Sequence, residues 1–503
     1  MECNNNIKAI LFTLMFALLM IPSATLLAQH RGDNLSFQGF GYKDNLSTKA
    51  SAMAGAVTAV SGDISSLFYN PAGLAGIEKF QISFNVKRYN RHWRENQDYR
   101  PNNAFSTLPL YFEGLYIPLR ENSGRWDYEL YKDTLNYIVN APKLGVDPYD
   151  EDAADWKNSK TEFAFNDLTV AVPFNLFDRK FVAAASYLRN VINDYDKNDT
   201  YQKPFFTSYD YETTIRLVNG TDTLNVEWSR FLRQRTGYMN NIVAGLSNEV
   251  FENVMIGIGA NIQFGQTEDL QSLVKVGDFH LIDAQRFKFY FNDTSTVISG
   301  TSKYNSARFN IGTMINVSKI KLGVKIDLPY TLTQEWNYTK QDSGATSLTQ
   351  VLSGKDEVKM PAIYNFGLSF QPIDDFLMSF NYEYAPYSKA EFSLASSDTT
   401  FRNWVDQNTI AFGLEYKMYD FLTLMAGYRT VPEVFIPDGA AIKDKGPGAN
   451  SYNFGVSLNT LLGRFDLAYE YRTLKYYDSY YSNTNYALES NSTLMFGFTY
   501  SFE

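Results

Sequence analysis

From Phe80 to its end the chain alternates apolar and polar residues with a period of two. In 80–88, Phe80, Ile82, Phe84 and Val86 share one face, while Gln81, Ser83, Asn85 and Lys87 share the other. Residues 255–265 repeat the pattern, setting Ile256, Ile258, Ala260, Ile262 and Phe264 against Gly257, Gly259, Asn261, Gln263 and Gly265. So do 321–328 and 465–472, and weaker examples lie at 167–174, 181–188, 241–247, 309–317, 364–370, 377–384, 409–416, 422–428, 452–459 and 493–502. This period specifies β-strands, and an apolar face opposite a polar one suits lipid on one side and an aqueous lumen on the other. Short connections (175–180, 248–254, 318–319, 371–375, 417–420, 460–463) alternate with long ones near 90–166, 190–240, 267–306, 340–361, 387–407, 430–450 and 476–492. The pattern predicts an all-β fold, a transmembrane antiparallel β-barrel of about 14 strands with short periplasmic turns and long extracellular loops. Within the first long connection, 107–118 is itself strand-like and reads as a hairpin or an extension of the wall.

Residues 51–75 break the alternation. Small side chains crowd the first half, and Asn70-Pro71-Ala72-Gly73 supplies a turn. Pro71 fixes its own φ and biases Asn70 towards an extended conformation, while Asn at an N-cap and Pro at the first helical position favour a short helix. The expected structure is a compact, non-strand plug.

Gly55, Asp63, Ser65, Asn70, Pro71 and Ala72, placed just ahead of the first strand, resemble the hatch segment of the FadL/TodX family. These are outer-membrane transporters for long-chain fatty acids and other hydrophobic compounds. The final strand, which ends beside Phe502, is similar to the terminal signal of bacterial outer-membrane proteins. The resemblance implies an N-terminal hatch inside the barrel lumen, uptake of a hydrophobic small molecule through an apolar pocket, and hatch-controlled release. It also implies an N-terminus that reaches the ligand site, which points to Phe37, Phe40 and Tyr42 as pocket or gate residues. Those rings are equally suited to anchoring the hatch to the wall. A sideways opening caused by a strand irregularity is implied too, and the weak alternation of 182–186 suggests the third strand. Some relatives with this architecture serve secretion machinery instead, so a barrel scaffold that holds a cargo protein is the alternative function.

Residues 1–28 read as a secretory signal peptide, with a polar start, an apolar run at 9–21 and a cleavage site after Ala28. That leaves 29–79 as the N-terminal segment and hatch and 80–503 as the barrel, a multi-pass protein of the bacterial outer membrane in contact with its lipid and lipopolysaccharide, and expected to be a monomer. The only cysteine, Cys3, lies in the leader, so the mature chain has no disulfide or thiol nucleophile. Mean hydropathy is −0.29, but a barrel hides its apolar face in every second residue. The 36 tyrosines and 38 phenylalanines suit interfacial girdles. A net charge of −10 argues against nucleic acid. Catalytic residues, cofactors and metals are not expected: His30, His92 and His280 form no metal or catalytic spacing, and His92 among Arg91, Trp93 and Arg94 reads as a girdle residue. The acidic run Asp147, Asp150, Glu151, Asp152 and Asp155 lacks the calcium-loop spacing and reads as a solvated loop.

Overall fold

The computed structural model describes residues 47–99, 120–126, 145–205, 224–281, 287–344, 347–395, 404–437, 445–480 and 483–502. The leader, Phe37, Phe40, Tyr42 and the strand-like piece 107–118 lie outside the described residues.

Neighbouring strands pair antiparallel into a closed circuit of 14. It runs β1 (Gln81–Tyr99), β2 (Trp156–Leu176), β3 (Arg179–Phe205), β4 (Leu224–Phe251), β5 (Val254–Leu281), β6 (Phe287–Val317), β7 (Ile320–Asp327), then β10 (Ile363–Ile373), β11 (Phe376–Ala385), β13 (Gln407–Tyr419), β14 (Leu422–Pro432), β15 (Gly448–Thr460), β16 (Gly463–Tyr480) and β17 (Asn483–Ser501), which closes on β1. The remaining strands, β8 (Tyr330–Ser343), β9 (Leu348–Met360) and β12 (Glu391–Ser393), prolong the wall on the long-loop side. Pro329 and Pro361 mark the joints between β7 and β8 and between β9 and β10, because neither can donate to the ladder.

The alternation maps onto the wall as its chemistry requires. Ile256, Ile258, Ile262 and Phe264 are exposed on the outside, whereas Gly257, Gly259 and Asn261 face in. On β16 the outward Leu467, Tyr469 and Tyr471 are exposed, and Asp466, Glu470 and Arg472 are buried inside. The interior charges are paired: Arg429 with Glu470 at 3.0 Å, Arg472 with Glu433 at 2.7 Å, and Arg235 with Asp269 at 2.8 Å. At 190–240 and 267–306 the expected long loops are in good part strand, since β3 to β6 run on to Phe205, Leu224, Leu281 and Phe287. Above the membrane both faces of a strand meet water or protein, so the apolar alternation fades while the ladder continues. His92 is exposed on the outer face of β1. In the acidic run, Glu151 pairs with Lys157 at 2.6 Å and Asp155 accepts from the Gln97 backbone.

Candidate functional site

Three parts meet inside the barrel: a floor, a cavity and a gap in the wall. Residues 47–77 form the floor, packed against inward faces around the barrel. Ser47 caps the helix Thr48–Ala52 through its side chain. Asn70 caps the 3-10 helix Pro71–Gly76, accepting from Ala72 N at 3.2 Å, and its amide donates to Thr58 O at 2.9 Å and to Thr313 O of β6 at 3.1 Å. Asn70 thus joins two parts of the segment to the wall, which explains why an asparagine stands there.

The wall is carved to receive this segment. On β5 a Cβ at Gly257 would lie 2.4 Å from Ala72 N, and on β14 one at Gly427 would lie 2.5 Å from Met53 C. Gly312, Gly323, Gly367 and Gly455 meet the segment as closely. Side chains then tie it down: Ser247 donates to Ala72 O at 3.0 Å, Ser369 to Ala59 O at 2.9 Å and Asn453 to Ser51 O at 2.6 Å. Ala72 packs with Met255 and Met314. Gly55, at φ 80°, lies on the cavity side of the floor.

Asp63 is 4% exposed, accepts from Ser65 N at 2.9 Å and pairs with Arg464 at 3.0 Å. Burial alone would raise its pKa, but Arg464, then Lys49 and the Ser65 hydrogen bonds outweigh it and hold the carboxyl well below the usual carboxylate range. Because the folded pKa is depressed, the stabilisation is complete above the ordinary carboxylate pKa of about 3.9 and fades only as pH falls through the depressed value. Protection of 47–77 from deuterium exchange, corrected for intrinsic rates, is therefore expected to be equal at pH 7 and pH 5. Arg464→Gln should lower it at both pH values, and full protection in that variant would remove the ion pair from the account.

Above the floor is a cavity of about 380 Å³, within the ~300–1,000 Å³ range of small-molecule pockets. Its upper side is apolar, formed by Ile192, Met239, Leu332, Met360, Trp404 and Val434. Its lower side carries Asn190, Asn241, Asn261, Asn365, Asn381 and Thr409, with Arg308 and Lys325 set about Asp327 at 3.8 and 3.0 Å. Ala54, Gly55, Phe68 and Tyr69 close it below.

The gap lies beside this cavity. β2 pairs with β3 only from Asp167↔Leu188 to Leu176↔Arg179; beyond Asp167, β2 continues against β1 alone and β3 against β4 alone. A bulge starts the separation, because Asn85 opposes Asp167 and Val86 opposes Phe165, so that β2 carries one extra residue, Asn166, between them. Asp167 holds the bulge, accepting from Asn166 at 2.8 Å, Asn85 at 3.0 Å and Thr169 at 2.9 Å. A second cavity of about 440 Å³ opens here, lined by Phe163, Phe165, Arg189 and Tyr238, and Val191 borders both cavities. Tyr195 closes the top against Trp93 and Trp156, with ring centroids 5.8 and 5.6 Å away.

This corrects the expectation of an irregularity at 182–186, which is paired without interruption on both sides. The small side chains there have another cause: Val182 and Ala184 pack against Ile64, Leu67, Phe68, Leu74 and Ile77 of the floor. The signal for the true position was a phase slip in the alternation, where Phe163 and Phe165 give way across Asn166-Asp167 to Leu168, Val170 and Val172.

Comparison with known proteins agrees with this architecture. A FadL homologue from Pseudomonas aeruginosa superposes with a TM-score of 0.58 at 15% identity, over 91% of this chain and 98% of that one. The P. putida toluene transporter TodX gives 0.52 at 13%, over 90% and 98%, and the monoaromatic hydrocarbon channel CymD gives 0.51 at 12%, over 91% and 97%. No curated protein sequence matches the chain. These structural likenesses carry the fold, and the sequence itself matches a family model, outer membrane protein transport protein (OMPP1/FadL/TodX), over residues 239–439. The chain is a β-barrel of the bacterial outer membrane, and its residues 239–439 are similar to the FadL/TodX outer-membrane transport proteins.

Proposed function

We propose that this barrel takes up long-chain fatty acids or similar amphiphiles, holding them in the cavity above the N-terminal segment and releasing them sideways between β2 and β3. The observation that carries this reading is one cavity with an apolar side and a polar, cation-bearing side, next to a break in the wall. A chain gains ~0.8 kcal/mol for each methylene removed from water, so capture is easy and an exit is the harder requirement. An opening towards lipid is tolerable only where protein or water satisfies the interrupted ladder, and polar side chains stand at this one, with Glu162 paired with Lys160 and accepting from Tyr89. The mixed lining favours an amphiphile over the aromatic hydrocarbons named for TodX and CymD, and an acyl-sized cavity favours transport over the scaffold alternative.

The N-terminal segment acts here as a hatch whose docking sets the shape of the pocket, with Gly55, Asp63, Ser65, Asn70, Pro71 and Ala72 holding it. Native mass spectrometry with lipid extraction tests the reading: a bound acyl chain displaced stoichiometrically by a labelled long-chain fatty acid supports it, and an empty barrel that retains no such ligand overturns it. Leu332→Asp puts a carboxylate into the apolar cluster that holds Met239 and Met360 and is expected to weaken fatty-acid binding by about tenfold or more. Unchanged affinity in a correctly folded variant would move the binding site elsewhere.

A further inference from the structure

The lower half of the cavity is more polar than a hydrocarbon pocket requires. Asn261 on β5, Asn381 on β11 and Thr409 on β13 are 6%, 6% and 8% exposed and line the same space. Their side-chain oxygens, and that of Asn190 on β3, are buried without a hydrogen-bond partner among the described residues. Buried polar atoms are normally satisfied, and each exception calls for a cause. These four converge on one cavity from two parts of the wall, β3 and β5 on one side and the adjoining β11 and β13 on the other, so no single local turn or cap explains them. They differ from the nearby charges, since Arg308 and Lys325 already face Asp327. The free groups are neutral amide and hydroxyl oxygens, which accept hydrogen bonds from O–H or N–H donors.

We infer that this belt is a subsite for a neutral, donor-bearing head group, and that the chain selects acyl compounds carrying hydroxyls, such as monoacylglycerols, over those with a bare ester. The inference rests on the transport reading above, because the apolar half of the same cavity holds the tail. A bare hydrocarbon gives these oxygens nothing, whereas a glycerol head beneath the apolar cluster offers two donors. The lower position of the belt, between the apolar side and Phe68 and Tyr69 of the floor, points the head group towards the N-terminal segment.

The test compares two ligands with the same tail. Purified barrel is loaded with a fluorescent long-chain fatty acid, then titrated with 1-monopalmitoylglycerol or with methyl palmitate, which has the ester but no donor. The expected result is about tenfold tighter displacement by the monoacylglycerol, the scale of one or two hydrogen bonds made to otherwise unsatisfied groups. Asn261→Leu with Asn381→Leu should erase that preference while methyl palmitate binds as well or better. Thr409→Val, a milder change, should reduce the preference in part, and heat-modifiable gel mobility checks folding. Equal displacement by the two ligands in the unmodified barrel overturns the inference and leaves the belt as a water-lined surface. A preference that survives the double substitution overturns it as well. Failure of the fluorescent fatty acid itself to bind removes the transport reading along with it, so the two failures are distinguishable.

Discussion

Replacing Gly257 and Gly427 by leucine is expected to force the N-terminal segment out of its seat and turn a blocked barrel into an ion-conducting one. The two glycines meet different parts of the segment, Pro71-Ala72 and Met53-Ala54, and at both the contact is with backbone, which cannot swing aside like the end of a flexible side chain. Overpacking costs about 1–3 kcal/mol at each site, and contacts this far apart in the segment add nearly independently. The combined loss, about 2–6 kcal/mol by that reckoning, acts on docking more than on the barrel, because the strand ladder does not need either glycine's side of the contact. Planar bilayer recordings should show open steps where the unmodified protein shows a closed barrel, and cells should become sensitive to large hydrophilic antibiotics. A variant that runs as a folded barrel yet blocks ions like the original would mean that the segment yields locally and stays in place.

The same glycines show how far the sequence could be read. Alternation located the wall, its two faces and its number of strands, because lipid on one side and protein or water on the other impose a period that few substitutions can hide. The short turns were equally legible. What alternation could not reveal was the reason for a small residue at an inward position. Gly257, Gly312, Gly367, Gly427 and Gly455 each occupy a polar-face position at mid-strand, and their common cause is the N-terminal segment lying against the wall, through its backbone at Gly257, Gly367 and Gly427 and through Asn70 and Ala52 side-chain atoms at Gly312 and Gly455, a tertiary fact with no local signature. The bulge at Asn166 was written in the sequence as a phase slip, whereas the small residues of 182–186 drew attention for a different cause, the seating of Leu67 and Leu74. The cavity was least legible of all, since Ile192, Met239, Leu332 and Trp404 converge from places far apart in the chain.

Bridging the gap between β2 and β3 is expected to stop release of the ligand while leaving its capture intact. With no cysteine beyond Cys3, Ala164→Cys with Val191→Cys introduces two thiols into the described barrel, one on each side of the separation. A short, reducible thiol cross-linker across them should lower uptake of a long-chain fatty acid about tenfold or more, the loss expected when a required conformational or passage step is blocked, and reduction should restore it. Binding to the purified, cross-linked barrel should stay within about twofold, because of the residues bordering the binding cavity only Val191 is changed and its apolar cluster keeps every member. That split separates passage from capture: a bridge that merely distorted the pocket would weaken both together. Normal uptake by a barrel shown to be fully cross-linked would exclude the gap as the route, and the ligand would then have to leave past the N-terminal segment, making the Gly257 and Gly427 contacts the barrier to transport.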